Sequence, residues 1–172
     1  MIRIMSRADI KELAQKNAIP PSTKIVSIRD PECQVIEVLD NLPNEKLVLW
    51  FHDSIDKRFE GDVLPSKEDV EKIIAFARTL SRDDDVIVHC NAGVSRSSCS
   101  AFIIEFIRSG SIEEALNILD PQWHYPNILM AVLASKILKD GRIYKVLELF
   151  NKQCVEGEPF PTTLPDAIRF SK

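Results

Sequence analysis

Residues 86–97 have the sequence Val-Ile-Val-His-Cys-Asn-Ala-Gly-Val-Ser-Arg-Ser, and this stretch decides the fold and the chemistry that we expect. Its β-branched start predicts a short buried strand that delivers a histidine and a cysteine into a loop. Arg96 lies six positions after Cys90, and Ser97 follows it. The chain is then apolar nearly all round the helical wheel to Arg108, which predicts a central buried helix. Ligands bind where such a helix begins, at the carboxyl end of the sheet.

The rest of the chain alternates predicted strands with predicted helices, which indicates an α/β fold with a short, mostly parallel central sheet flanked by helices. Short apolar runs predict strands over 24–28, 34–39, 46–51 and 85–89, and the third strand is expected to be buried on both faces. Cap residues and helical periodicity predict helices after Ser6, after Ser66, over 96–108, after Ser111, over 126–139 and over 143–151. We expect one domain over 1–172, with its core at about 23–152 and an extended tail over 153–172.

Composition narrows the possible partners and the compartment. The chain has 172 residues and a net charge of −4, so there is no electrostatic reason to expect a nucleic acid or an anionic membrane as partner. The first residues lack an apolar signal-peptide core, and the longest apolar runs are too short to span a membrane. Four unevenly spaced cysteines match neither a metal site nor a disulfide framework, so reduced thiols in the cytoplasm are expected. The oligomeric state is not specified.

The loop after the predicted strand is typical of a phosphate-binding site. If it wraps onto the next helix, its backbone N–H groups converge into an anion nest. Gly93 permits a positive φ or a close backbone approach, and the planar guanidinium of Arg96 can bind two phosphate oxygens at once. The predicted phosphate-binding residues are Asn91, Ala92, Gly93, Val94, Ser95 and Arg96.

The residues next to the loop suggest how a nucleophile would work there. A helix N-terminus and a nearby cation stabilise a thiolate, so Cys90 is the predicted nucleophile. The Ser97 hydroxyl is expected to donate to the sulfur when sulfur is the leaving group, although a serine at a helix start is also common for structural reasons. His89 is expected to support the loop by hydrogen bonds and not to act as a base.

Hydrolysis also needs a proton donor for the departing oxygen, and acidic residues follow the third predicted strand. Asp53 is the first choice, and its strand is expected to neighbour the strand that ends at Cys90. Asp56 is the reserve candidate. Glu60, Asp62 and His52 are weaker candidates, and a plain solvated acidic loop remains the alternative.

His89-Cys90-x-x-Gly93-x-Ser95-Arg96-Ser97 resembles the signature of the protein tyrosine phosphatase superfamily, and residues 92–97 look like its dual-specificity branch. Phe51-His52-Asp53 resembles the general-acid loop of compact bacterial members, which favours Asp53. Tyr125-Pro126-Asn127 is similar to the family's Pro-Asn step, whose asparagine helps to order the phosphate loop. Residues 157–160, Gly-Glu-Pro-Phe, also look like those bacterial proteins.

The resemblance implies a two-step hydrolysis through a phosphocysteine, with no metal or other cofactor. The catalytic residues would be Cys90, Arg96, Asp53 and Ser97, and the expected substrate is phosphotyrosine, with phosphoserine or phosphothreonine in addition, on proteins. A phosphoinositide or small-molecule phosphatase, a rhodanese-like sulfurtransferase and an inactive phosphoprotein-binding module remain alternatives. Cys33 or Cys99 could trap oxidised Cys90 as a disulfide, against a plain structural role for both.

Overall fold

The computed structural model describes residues 1–33, 35–157 and 168. Within these residues the sheet has four strands in the order β1-β4-β2-β3, and every neighbouring pair is parallel. The strands are β1 (Ile2–Met5), β2 (Lys24–Arg29), β3 (Lys46–Trp50) and β4 (Val86–His89). The α/β fold with a parallel central sheet is therefore as predicted.

Seven helices occur in the described part of the chain. They are α1 (Arg7–Gln15), α2 (Glu37–Asp40), α3 (Lys67–Thr79), α4 (Arg96–Ser109), α5 (Ile112–Asn117), α6 (Ile128–Leu138) and α7 (Arg142–Glu156). Ser6 and Ser66 each form a complete capping box with the aspartate three positions on, and Gly110 ends α4 in the left-handed conformation. These helix boundaries were predicted from the same cap residues.

Successive side chains of the central strands point to opposite faces of the sheet, so the core has two layers. Ile25 and Ile87 pack on one face of the sheet with residues of α1 and α2. Val26 and Val88 point to the opposite face, into the larger core that α3 to α7 cover. Both faces of β2 and β4 are therefore buried, as in parallel sheets generally.

The prediction of a strand over 34–39 was wrong. Glu37–Asp40 forms the short helix α2, and Gln34 lies outside the described residues. The Asp40 carboxylate accepts the backbone N–H of Ile36 at 3.1 Å and also binds the side chain of Arg29. Tertiary contacts of Asp40 thus fix a helical turn where the apolar pattern alone favoured a strand.

The edges of the sheet also differ from the expectation. β3 pairs with β2 alone, and Trp50 is 40% exposed, so this strand is not buried on both faces. The opposite edge is β1, which the sequence analysis missed because its four residues are all only half-buried. β1 lies in register with β4, beginning with Ile2 opposite Val86.

The described part of the C-terminal segment is not the extended tail that was predicted over 153–172. α7 continues to Glu156, so residues 153–156 are helical. The predicted resemblance at 157–160 falls almost entirely outside the described residues. Across the described ranges, no helix has the length and apolarity needed to cross a membrane.

Candidate active site

The carboxyl ends of all four strands meet at one edge of the sheet because the strands are parallel. Cys90 follows β4, Asp30 follows β2, and Asp53 lies three residues beyond the end of β3. β2 lies between β3 and β4, so the expectation that the strand of Asp53 neighbours that of Cys90 was wrong. Asp53 still reaches the loop after β4, through its own loop.

The loop between β4 and α4 turns its carbonyl groups outward. The Asn91 carbonyl accepts the Arg7 N–H at 3.0 Å, the Val94 carbonyl accepts the Tyr125 N–H at 3.0 Å, and the Ser95 carbonyl accepts the Asn127 N–H at 3.3 Å. A planar trans peptide directs its N–H opposite to its carbonyl. The N–H groups that follow these carbonyls therefore face the inside of the loop, as an anion nest requires.

The start of α4 strengthens this nest. Four other helices (α1, α3, α5 and α6) begin with a side chain that caps a backbone N–H. At α4 the Ser95 hydroxyl instead donates to the Asp53 carboxylate at 2.7 Å. The amides of the first turn of α4 thus remain for an anion, where the helix dipole also favours negative charge.

Position 93 requires a glycine because of both its backbone conformation and its close packing. Its φ is +78°, and a Cβ atom added there would lie 2.8 Å from the backbone of Met5 and of Ser6. The junction between β1 and α1 therefore packs directly against the loop. The two reasons given for this glycine in the sequence analysis both apply.

Cys90 lies at the centre of the loop and is 1% exposed. Its Sγ atom is 3.2 Å from the Oγ atom of Ser97, which is fully buried in the first turn of α4. The hydroxyl of Ser97 is therefore placed to donate a hydrogen bond to a thiolate.

Arg96 is fixed from behind by the ends of the two neighbouring strands. Its Nη1 atom donates to the Asp30 carboxylate at 2.6 Å and to the Phe51 carbonyl at 2.6 Å, and the side chain is 3% exposed. Its Nε atom is buried without a hydrogen-bond partner among the described residues. An unsatisfied buried donor is costly, and an anion in the loop would satisfy it.

Asp53 stands at the mouth of the loop. One carboxylate oxygen accepts hydrogen bonds from Ser95 Oγ at 2.7 Å and from Asn127 Nδ2 at 2.9 Å, and the other lies 4.0 Å from Arg96 Nε. Asn127 also caps α6 through its side-chain oxygen. Asn127 thus connects the acid, the loop and α6, which agrees with the loop-ordering role that the resemblance implies.

The other candidate acids lie in different surroundings. Asp56 is mostly exposed and pairs with Arg58 at 3.2 Å, while Asp62 accepts the N–H groups of Arg58 and Phe59 in a turn. Glu60 is exposed. His52 accepts the Val63 N–H at Nδ1 and contacts Glu32 through Nε2, so it links its own loop to the segment after β2. Among these candidates only Asp53 contacts the phosphate loop in the described residues.

His89 belongs to a buried polar network beneath the loop. Burial lowers the pKa of His89 to about 4, so the ring is neutral near pH 7. Ser27 Oγ accepts the Nε proton of Arg29 at 2.8 Å and lies 2.7 Å from His89 Nε2, which leaves the hydroxyl proton for the imidazole. Nδ1 then carries the ring proton and points to the Cys90 carbonyl at 3.4 Å. His89 thus contacts Ser27 on β2 and the first residue of the loop, and its role as a support of the loop stays a prediction.

Several residues of this network were missed by the sequence analysis. Arg29 binds both carboxylate oxygens of Asp40, which holds the pKa of Asp40 below its usual range, and Asp30 anchors Arg96. A signal was present, because Ser27 lies among apolar residues in the strand predicted over 24–28 and Arg29 directly follows that strand. Polar side chains on a buried face need partners, so they predict a network.

The two candidate resolving cysteines are placed differently. Cys99 is completely buried within α4, and burial raises the pKa of its thiol. Cys33 lines a small cavity together with Cys90, and its Sγ accepts a hydrogen bond from Arg7 at 2.9 Å. All four cysteines are free thiols, and trapping of Cys90 by Cys33 stays a prediction.

The fold and the loop together define a class of protein: a parallel α/β domain that presents a cysteine and an arginine in one anion-binding loop. No family model matches the chain, and no curated protein matches it. Solved structures do. The crystal structure of PTPMT1 in complex with PI(5)P has 16% identity and a TM-score of 0.49, and the match covers 91% of this chain and 94% of that one.

A second match is the crystal structure of Tk-PTP in the active form, with 16% identity and a TM-score of 0.44 over 88% of this chain and 90% of that one.

Proposed function

We propose that this chain is a cysteine-dependent phosphatase that hydrolyses phosphate monoesters, with phosphotyrosine in proteins as its main substrate and phosphoserine or phosphothreonine as secondary ones. One juxtaposition carries the proposal. Cys90 begins the loop and contacts Ser97, Arg96 ends it, and Asp53 accepts a hydrogen bond from Ser95 of the same loop and lies 4.0 Å from Arg96 Nε.

The first step transfers the phosphoryl group to sulfur. The Cys90 thiolate attacks phosphorus, and the bond from phosphorus to the ester oxygen breaks. Asp53 in its protonated form gives its proton to that oxygen, which leaves as an alcohol or phenol. Arg96 and the loop amides stabilise the charge on the three non-bridging oxygens in the transition state.

The second step restores the enzyme. Asp53, now ionised, takes a proton from a water molecule whose oxygen attacks phosphorus. The bond from sulfur to phosphorus breaks, inorganic phosphate is released, and the Ser97 hydroxyl stabilises the returning thiolate. The side chains of the loop, Ser97 and Asp53 carry both steps, and a reducing compartment such as the cytoplasm keeps the thiol available.

The decisive experiment is hydrolysis of p-nitrophenyl phosphate in the presence of a chelator, comparing the wild type with Cys90→Ser. Cys99→Ser is the matched control, because it removes a buried cysteine from the same loop-and-helix unit without touching the phosphate site. We expect activity in the wild type and the control and none in Cys90→Ser. Activity that survives in Cys90→Ser, or a folded and reduced wild type without activity, contradicts the proposal.

The substrate class is tested with the same wild-type protein. We expect turnover of phosphotyrosyl peptides, with slower turnover of phosphoseryl peptides. A protein that ignores phosphopeptides and hydrolyses phosphoinositide vesicles or inositol phosphates is a phosphatase of a different substrate class.

A further inference from the structure

Asn151 is a polar residue on a helix face that is otherwise apolar. The buried positions of α7 follow the spacing of one face of an amphipathic helix, and they are Ile143, Val146, Leu147, Phe150 and Asn151. Asn151 is 3% exposed, so its amide group is removed from water. Buried polar groups generally have hydrogen-bond partners, and the partner of this amide indicates its role.

The amide of Asn151 binds the segment that leads into α6. Its Nδ2 atom donates to the Pro126 carbonyl at 2.8 Å. The N–H of the same peptide unit belongs to Asn127, and it donates to the Ser95 carbonyl of the phosphate loop at 3.3 Å. A trans peptide unit is planar, and its carbonyl and its N–H point in opposite directions. The unit over 126–127 is therefore held from both sides, by α7 on one side and by the loop on the other.

This peptide unit carries the side chain that contacts the proposed acid. Asn127 Nδ2 donates to the Asp53 carboxylate at 2.9 Å. The segment over 52–65 is mostly exposed, so the direction of the Asp53 carboxyl group depends on Asn127 and on Ser95, which both lie outside that segment. A change in the tilt of the 126–127 unit moves Asn127 Nδ2, and the carboxyl group moves with it.

From these contacts we infer that Asn151 is a positioning residue for the proposed general acid. It acts through the 126–127 unit and Asn127, since its own hydrogen bond is to Pro126 and not to Asp53. A second contact from α7 joins Cys154 Sγ to the His124 carbonyl at 3.8 Å, but this contact is long and a thiol is a weak donor. The inference rests on the proposed phosphatase function and adds to its mechanism a residue of α7.

The test measures how kcat of Asn151→Leu depends on the leaving group. Leucine is close to asparagine in size but has no proton to donate, so the Pro126 carbonyl loses its partner. Because a misplacement of about 1 Å can cost about 100-fold in rate, kcat for alkyl phosphates and phosphotyrosine should fall by about 10–100-fold. The activated ester p-nitrophenyl phosphate needs little help from an acid, so its kcat should fall by less than about threefold. The inhibition constant of inorganic phosphate, which reports the loop, should stay the same.

A second buried asparagine provides the matched control. Asn44 is 5% exposed and donates from Nδ2 to the Pro20 carbonyl at 2.8 Å. The Oδ1 atom of Asn44, like that of Asn151, is buried without a hydrogen-bond partner among the described residues. Asn44 precedes β3 and so lies at the amino end of the sheet, away from the phosphate loop. Asn44→Leu therefore removes the same kind of bond and should keep the wild-type dependence on the leaving group.

Two further variants separate positioning from stability. Asn151→Asp keeps the shape of the side chain, but its ionised carboxylate cannot donate, so it should show the same selective loss even where leucine prevents folding. In Asp53→Asn no acid remains to be positioned. Adding Asn151→Leu to that variant should therefore cause no further loss on poor leaving groups.

The inference is overturned if the Asn151 variants behave as the wild type, or if they lose activity equally on poor and activated leaving groups. It is also overturned if the full loss persists in the Asp53→Asn background, or if Asn44→Leu shows the same selectivity. Failure of both Asn151 variants to fold while Asn44→Leu folds would show that Asn151 serves stability, which overturns the inference as well. A wild type without Cys90-dependent activity, or an Asp53→Asn variant with wild-type dependence on the leaving group, instead contradicts the proposed function, so the two failures are distinguishable.

Discussion

The phosphate loop over 90–96 and the acid-bearing segment over 52–65 meet at the contact between Ser95 and Asp53, yet they are held in different ways. The loop is fixed by contacts from three elements: the buried His89 network below it, the partly buried Asp30 that holds Arg96, and the backbone of the junction between β1 and α1. The segment is mostly exposed and contains its own short-range contacts, such as the pair of Asp56 with Arg58.

This difference shows which groups of the site are held in place before substrate binds. The groups that we propose to stabilise the phosphoryl oxygens stand in a rigid frame, so they would need little reorganisation during the reaction. Asp53, the proposed proton donor, stands on the less buried segment, and it accepts hydrogen bonds from Ser95 and Asn127, which lie outside that segment. The position of Asp53 is thus set by the loop and α6 more than by its own neighbours.

The largest effect is expected from Arg96→Ala, which removes the most buried charged group of the loop. Its guanidinium binds transition-state charge, so kcat for p-nitrophenyl phosphate should fall by about 10³–10⁵-fold. Arg108→Ala is the control, since Arg108 is a second buried arginine of α4, at the far end from the loop. A loss of less than tenfold in Arg96→Ala, measured on folded protein, would refute the assigned role.

The second prediction concerns the acid of the exposed segment. Asp53→Asn should slow poor leaving groups, such as alkyl phosphates or phosphotyrosine, by about 10²–10⁴-fold and activated aryl esters much less. The rate with a series of leaving groups of increasing pKa measures this directly. Asp56→Asn is the matched control on the same segment and should keep the wild-type dependence. An equal loss on all leaving groups would show that Asp53 is structural.

Substitution of one glycine in each region tests how tightly the backbone of that region is packed. Ala at Gly93 meets the backbone of Met5 and Ser6 and must hold a positive φ, whereas Ala at Gly61 in the exposed segment meets nothing within 4 Å. Gly93→Ala should lower the free energy of unfolding by about 2–5 kcal/mol and reduce activity, and Gly61→Ala should change the unfolding free energy by less than about 0.5 kcal/mol. Urea unfolding of both variants checks this, and equal stabilities would contradict the rigid-frame description.

The contrast also explains what the sequence could predict. The strand-loop-helix unit was predictable because one short stretch carries the strand residues, the glycine and the helix start. Asp53 was chosen from a nearby run of acids on chemical grounds and on resemblance. The structure places it beside Ser95 although β2 separates the two strands. Such long-range placement depends on strand order, which no local pattern encodes.

The buried network was least predictable, because its members are far apart in the chain and become neighbours only in the sheet. Ser27 lies opposite His89 in the register of β2 and β4, and Asp40 reaches Arg29 from α2. The same long-range contact turned the expected strand over 34–39 into a helix. The contact between Asp40 and Arg29 and the helix α2 were therefore missed for the same physical reason.

The last prediction tests that network through the dependence of stability on pH. The folded protein keeps His89 neutral down to about pH 4, whereas the unfolded chain takes up the proton near pH 6.5. Between these values the unfolded state binds more protons, so the free energy of unfolding falls as the pH falls, by about 3 kcal/mol in total. Urea unfolding from pH 7 to pH 4 should show this component in the wild type and not in His89→Gln. If the difference between the two proteins stays constant with pH, His89 is not the buried neutral group beneath the loop, and the rigid frame of the phosphate site does not extend through it.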